Sequence, residues 1–119
     1  MRLLLISNST NAGEPYLQYP MSQIGDFLKG ITEIVFVPYA AVTFSYAEYE
    51  AKVQKRFDEL GIRVRSVHRS KNPAKMIREA QAICVGGGNT FALTRKMQQQ
   101  GLMTAIKNKI AKGTPYVGW

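Results

Sequence analysis

Apolar and polar positions alternate along this chain in blocks. Leu3 to Ile6 is a continuous apolar run cut off by the polar stretch SNSTNAG, the pattern of a central strand buried on both faces. From about Pro15 to Lys29, Leu17, Met21, Ile24 and Leu28 recur at helical spacing, and Gly30 closes the segment. Pro20 leaves the early part of that helix open. EIVFVPYA, residues 33–40, predicts a second all-apolar strand whose ladder ends at Pro38, which has no amide hydrogen to donate.

The next helix carries the clearest signals. Ser45 and Glu48 have the spacing of a capping box, Tyr46, Tyr49, Val53, Phe57 and Leu60 form one apolar stripe, and Gly61 supplies the stop. IRVRSV alternates apolar and basic residues, as an edge or half-exposed strand does. A short helix over 73–80 begins at Pro73. AICV, residues 82–85, is a fourth buried strand, followed by GGGNT and a helical pattern through Phe91, Thr94 and Met97 to Gly101. Leu102, Ile106 and Ile110 predict one more helix, ended by Gly113, and TPYVGW delivers the chain into a fifth strand. Apolar strands alternating with helices predict an α/β fold: a mainly parallel, doubly wound sheet with helices on both faces. Such a sheet carries its chemistry beyond the carboxyl ends of its strands. That rule selects the loops Ser7–Gly13, Tyr39–Phe44 and Gly86–Thr90, and whatever follows Trp119.

Composition narrows the class. The 119 residues, 45% hydrophobic and 20% charged, suit one globular domain over 1–119 without linker, repeat or low-complexity tract. The opening MRLLLIS has too short an apolar run for a signal peptide and falls far below the ~20 residues of a membrane span. A cytoplasmic protein with no membrane partner is the expectation. The single Cys84 excludes an internal disulfide and makes no zinc site by itself; its place in AICV predicts a buried hydrophobe. The formal charge of +8 gathers in Arg63, Arg65, His68, Arg69, Lys71, Lys75 and Arg78, and no acid follows Glu79. Without interleaved aromatics or a recognition motif, this basic stretch predicts a solvated surface and no nucleic-acid partner.

VGGGNTF is the stretch that bears on chemistry. Three glycines between a strand and a helix let a ligand approach backbone amides, and the helix start adds unpaired N–H groups, so the loop suits an anion or a developing oxyanion. It is not a dinucleotide fingerprint, because Phe91 stands where the third glycine belongs, and it lacks the Gly-Lys-Ser/Thr of a P-loop. Taken by itself it is a weak signal that leaves open a structural turn, or the anion site of a non-catalytic Rossmann-like module. YVGW, in turn, presents a strand and the first two positions, Gly118 and Trp119, of a G-x-S-x-G nucleophile elbow.

Together LLLISNST (3–10), VFVPYA (35–40), His68-Arg69, VGGGNTF (85–91) and YVGW (116–119) resemble the amino-terminal half of the peptidase E, or α-aspartyl dipeptidase, family of serine peptidases. That resemblance covers essentially all 119 residues. It implies a fold like class I glutamine amidotransferase domains and hydrolysis of dipeptides with an amino-terminal aspartate (Asp-X), without metal or cofactor. The family's serine follows Gly-Trp, and its histidine and acid come from later in the chain. By the same resemblance the Gly88 amide belongs to the oxyanion hole, Gly118 and Trp119 lead into the elbow, and Gly87, Asn89 and Thr90 lie at the substrate. The family's carboxylate-binding arginine falls outside these 119 residues.

The remaining candidates agree with this division. His68, in a basic loop after strand three with no acid expected nearby to orient it, reads as a surface or structural residue. Ser7, Ser9, Thr10 and Thr90 offer hydroxyls at the carboxyl edge without an evident base, so capping and loop hydrogen bonds are their expected work. Glu48 is engaged by its cap, Glu14 is the other carboxylate in a loop at that edge, and the methionines are expected to fill core. The ending before the nucleophile suggests truncation, a modified next residue, or cleavage with the second fragment still bound. A bare fifth strand would expose apolar area at ~25 cal/mol per Å², which favours a partner fragment beginning at the serine. This chain by itself is then expected to be inactive.

Overall fold

The computed structural model describes residues 1–7, 9–10 and 12–119; Asn8, within the quoted LLLISNST, and Asn11, in the same polar run, lie outside them. Five parallel strands, β1 (Leu3–Leu5), β2 (Glu33–Val37), β3 (Arg63–Ser66), β4 (Ile83–Val85) and β5 (Tyr116–Gly118), form one sheet in the order β1-β5-β4-β2-β3. The connections carry α1 (Met21–Phe27), α2 (Tyr46–Phe57), α3 (Pro73–Arg78), α4 (Thr90–Gln99) and α5 (Leu102–Ala111).

Strand alternation divides the apolar residues into two cores. Ile34, Phe36, Val64, Cys84 and Val117 face α1 and α2, meeting Ile24, Tyr49, Val53 and Phe57. Val35, Val37, Ile83 and Val85 face the other way, onto Ile77 of α3, Met97 of α4 and Leu102, Ala105 and Ile106 of α5. The sheet is therefore covered on both faces, as the block pattern predicts. Cys84 is fully buried among the first set, as expected of a small hydrophobe. β3 is an edge strand whose residues alternate exposed and buried, Arg63 and Arg65 outward.

Several expectations change. β1 is an edge strand rather than a central one: Leu4 packs on the first core, whereas Leu3 and Leu5 are 43% and 70% exposed. An apolar run records that both faces tolerate burial, and only neighbouring elements decide whether both are covered. β1 contributes no residue to the second core. The first helix begins at Met21, because Pro20 occupies its N-cap, and the Tyr16–Pro20 segment is a chain of turns. Within it Leu17 is fully buried yet holds a left-handed φ of 57°. Its N–H is tied to the Ser9 carbonyl at 2.7 Å. On α4, Phe91 and Thr94 do not share the buried stripe with Met97; Phe91 is 89% exposed. Met21 and Met97 fill core, but Met103 is exposed. Among the described residues no helix is long and apolar enough to cross a membrane.

Candidate active site

The carboxyl ends of four strands stand in one row: Leu5 opposite Gly118, Gly118 opposite Val85, and Val85 opposite Val37. Backbone bonds continue that row beyond the strands. Ile6 N–H donates to the Gly118 carbonyl at 2.8 Å, Trp119 N–H to Val85 at 3.2 Å, Gly86 N–H to Val37 at 3.2 Å and Asn89 N–H to Ala40 at 2.9 Å. The triglycine loop and the β5 exit are thus locked side by side at the rim of the sheet.

Each glycine of the loop has its own steric reason. A Cβ on Gly86 would overlap the Tyr49 hydroxyl and ring, and one on Gly87 would come within 2.5 Å of the Trp119 carbonyl oxygen. Gly88 has φ +144° and would drive a Cβ to 2.5 Å from the Ala40 oxygen. The loop is therefore more than a flexible turn: two other chain segments press against it. The Gly87 and Gly88 amides donate to no acceptor among the described residues. Asn89 caps α4, its side-chain oxygen accepting from Ala92 N–H at 2.9 Å.

Gly87, Gly88, Thr90 and Trp119 line one open pocket of about 540 Å³ with Ser7, Ser9, Thr10, Tyr16, Phe44, Tyr49 and Lys52. Asn89 is outside that lining, and its side-chain oxygen is engaged by the helix cap. Gly118 contributes backbone only, within β5. The lining contains one cation, Lys52, and no carboxylate. The Lys52 ammonium lies 4.3 Å from the centre of the Tyr16 ring and forms no ion pair among the described residues. Exposed backbone amides, hydroxyls and an unmatched cation make this a place for an anion.

Beneath the pocket, three residues far apart in sequence meet. The Trp119 indole N–H donates to the Tyr16 hydroxyl at 2.7 Å, Tyr16 reaches the Tyr49 hydroxyl at a longer 3.4 Å, and Tyr49 donates to the Gly87 carbonyl at 3.0 Å. The indole stacks on Phe36 with ring centres 6.0 Å apart. Burial raises the Tyr16 phenol far above its ordinary range, with Tyr49 adding to the effect; burial also raises Tyr49, against the lowering influence of Tyr16 and the nearby Trp119 indole. Both phenols are neutral donors.

Sequence reading found the loop and the strand exit but missed Tyr16, Tyr49 and Lys52. Tyr49 is legible only as a stripe residue. Lys52, one helical turn beyond it on α2, carries no motif. The Trp119–Tyr16 contact spans 103 positions, which no local pattern reports. His68 does not line the pocket; it follows β3, half-buried, bonded to Ser66 and beside the Tyr46 ring. An acid does stand near it, contrary to the sequence expectation: Glu50 of α2, which accepts from Ser66 N–H and Arg69. Burial lowers the His68 pKa, Glu50 opposing that shift and Arg69 adding to it. Glu48 is in its capping box with Ser45, and Glu14 is exposed outside the lining.

A second depression of about 410 Å³ runs along β3, lined by Arg63, Arg65, Arg69 and Glu50 among others. Arg65 and Arg69 are paired there with Glu33 and Glu50 at 3.2 and 2.6 Å. Among the described residues no group of three or more His, Cys, Asp or Glu side chains stands together.

The model of peptidase family S51 matches residues 3–119. A peptidase E from Nostoc sp. is 44% identical over 119 residues, covering 99% of this chain and 49% of that protein. A peptidase E from Pasteurella multocida is 44% identical over 98% of this chain and 51% of its own length, and one from Salmonella typhi is 38% identical over 100% and 52%. The chain therefore spans about half the length of the curated relatives it matches. Among solved structures, a protein described as a peptidase E from Listeria monocytogenes gives a TM-score of 0.68 at 24% identity, covering 82% of this chain and 52% of that one. A peptidase from an acI-B1 Actinobacterium gives 0.68 at 18% identity, covering 98% and 52%. At those identities the likeness is one of fold.

Proposed function

Because this chain belongs to peptidase family S51, we propose that it forms the amino-terminal part of a cytoplasmic serine dipeptidase that cleaves Asp-X dipeptides. One observation carries the reading: the unengaged Gly88 amide and the Gly118–Trp119 exit of β5 meet at the rim of one pocket. In this reading a serine follows Trp119 and attacks the peptide carbonyl, and a histidine and an acid from later sequence complete the triad. The carbonyl oxygen gains charge as the tetrahedral intermediate forms, and the Gly88 N–H stabilises it, together with the amide after the serine. Gly87 and Thr90 line the substrate's place, where Lys52 and the Ser9 and Thr10 hydroxyls suit a carboxylate. Asn89 contributes through the helix start it caps rather than through its oxygen. No step calls on a metal or cofactor.

The partner is a carboxy-terminal segment of the same protein, and the exposed Leu3 and Leu5 at the β1 edge offer it apolar surface. A cytoplasmic setting suits the buried, unpaired Cys84. The basic β3 surface is engaged in ion pairs with Glu33 and Glu50, which supports a solvated role without nucleic acid. The test is hydrolysis of Asp-Leu by this chain alone and by a polypeptide continuing past Trp119. Turnover is expected from the longer protein only, and its loss on changing the serine to alanine. No turnover by the longer protein, with inorganic phosphate or aspartate still protecting the Gly88 amide from exchange, would favour a non-catalytic anion-binding module instead.

A further inference from the structure

The Gly87–Gly88 peptide unit has its two polar ends under different constraints. Its carbonyl accepts the Tyr49 hydroxyl at 3.0 Å, while its N–H, that of Gly88, meets no acceptor among the described residues. A trans peptide is planar, with C=O and N–H pointing in opposite directions, so anchoring one end aims the other. Glycine on both sides offers little steric resistance to rotation of that plane. The loop's own covalent structure leaves that direction open, its flanks are held by Gly86 N–H on Val37 and Asn89 N–H on Ala40, and the Tyr49 hydroxyl holds one end of the plane itself.

Tyr49 is itself placed from two sides. Its ring meets Phe36 edge-on at 4.9 Å and Phe44 at 5.3 Å, and its oxygen receives Tyr16, which receives the Trp119 indole. An indole N–H can only donate, a phenol both accepts and donates, and a carbonyl only accepts. The chain of bonds therefore has one polarity, beginning at Trp119 and ending on the Gly87 oxygen.

We infer that Tyr49 is a positioning residue for the Gly88 N–H, and that Tyr16 ties its placement to the Trp119 indole, so that the anion-binding amide and the β5 exit are set together. The use of that amide in catalysis rests on the proposed peptidase reading; the anchoring does not.

Tyr49→Phe keeps the ring and removes the hydroxyl. In the isotopically labelled chain, the Gly87 carbonyl carbon is expected to shift upfield and the Gly88 N–H to lose order in its heteronuclear NOE. The Trp119 indole resonance should hold, because Tyr16 still accepts it; Tyr16→Phe should move that indole resonance instead. In the polypeptide continuing past Trp119, Tyr49→Phe is expected to lower kcat for Asp-Leu about tenfold, short of the ~10²–10³ loss from deleting an oxyanion donor, with KM nearly unchanged. An unmoved Gly87 carbonyl overturns the anchor whatever the activity. A moved carbonyl with undiminished kcat overturns the positioning role. If the unsubstituted longer protein hydrolyses nothing, the peptidase reading fails, and the resonances still decide the anchor. Should Tyr49→Phe not fold, the Tyr49 ζ-carbon in mixed H2O and D2O decides in the native chain. Two resolved isotope lines mark a slowly exchanging, bonded hydroxyl, and a single averaged line overturns the proposal.

Discussion

At the scale of single residues, Gly88 combines two constraints that most glycines here carry singly or not at all. Its φ of +144° is a region that side-chain-bearing residues avoid, and the Ala40 oxygen occupies the space a Cβ would take. Gly113, at φ +91° with nothing within 4 Å, has only the first. Gly88→Ala is accordingly expected to destabilise the chain by about 1–3 kcal/mol, and Gly113→Ala by less, measured as denaturant midpoints at constant m-value. Equal losses would mean that the close approach to Ala40 adds nothing. Local sequence makes the need for glycine at 86–88 visible, but not which neighbour imposes it. Ala40 and Tyr49 reach the loop from the β2–β3 connection and Trp119 from the exit of β5.

At the scale of elements, α2 is the place where local signals and the fold agree most closely. The Ser45 hydroxyl accepts from Glu48 N–H at 3.0 Å while the Glu48 carboxylate accepts from Ser45 N–H at 3.2 Å. Tyr49, Val53 and Phe57 then bury the predicted stripe, and Gly61 turns left-handed after a closing 3₁₀ turn. Ser45→Ala is expected to cost about 1 kcal/mol in chemical denaturation; a change within error would mean that packing alone holds the helix start. α1 is the counterexample. Its stripe reads from Leu17, but Pro20 stands at the N-cap, and Leu17 reaches the core from a left-handed turn instead. In α1 periodicity finds the buried side chains but not the backbone that carries them, whereas in α4 it finds the helix but places the exposed Phe91 on its buried stripe.

At the scale of the whole molecule, four phenols are shielded by the fold. Burial is the leading cause of the raised pKa values of Tyr16, Tyr39, Tyr49 and Tyr116. A folded pKa above the unfolded value of about 10 contributes stability that is intact below pH 10 and lost as pH rises further. Alkaline unfolding is thus expected to coincide with tyrosine ionisation, followed by absorbance at 295 nm beside circular dichroism. Ionisation of all these phenols in a still-folded chain would contradict it. Block-wise hydrophobicity, capping chemistry and glycine placement are local properties, and they were enough to determine five strands, their helices, a parallel α/β class and the loops at the carboxyl edge. Strand order, the exposed outer face of β1, the bonded line from Trp119 to Gly87, and Lys52 in the pocket were decided only by the tertiary structure. Each depends on contacts between segments tens of residues apart, which chain periodicity does not encode.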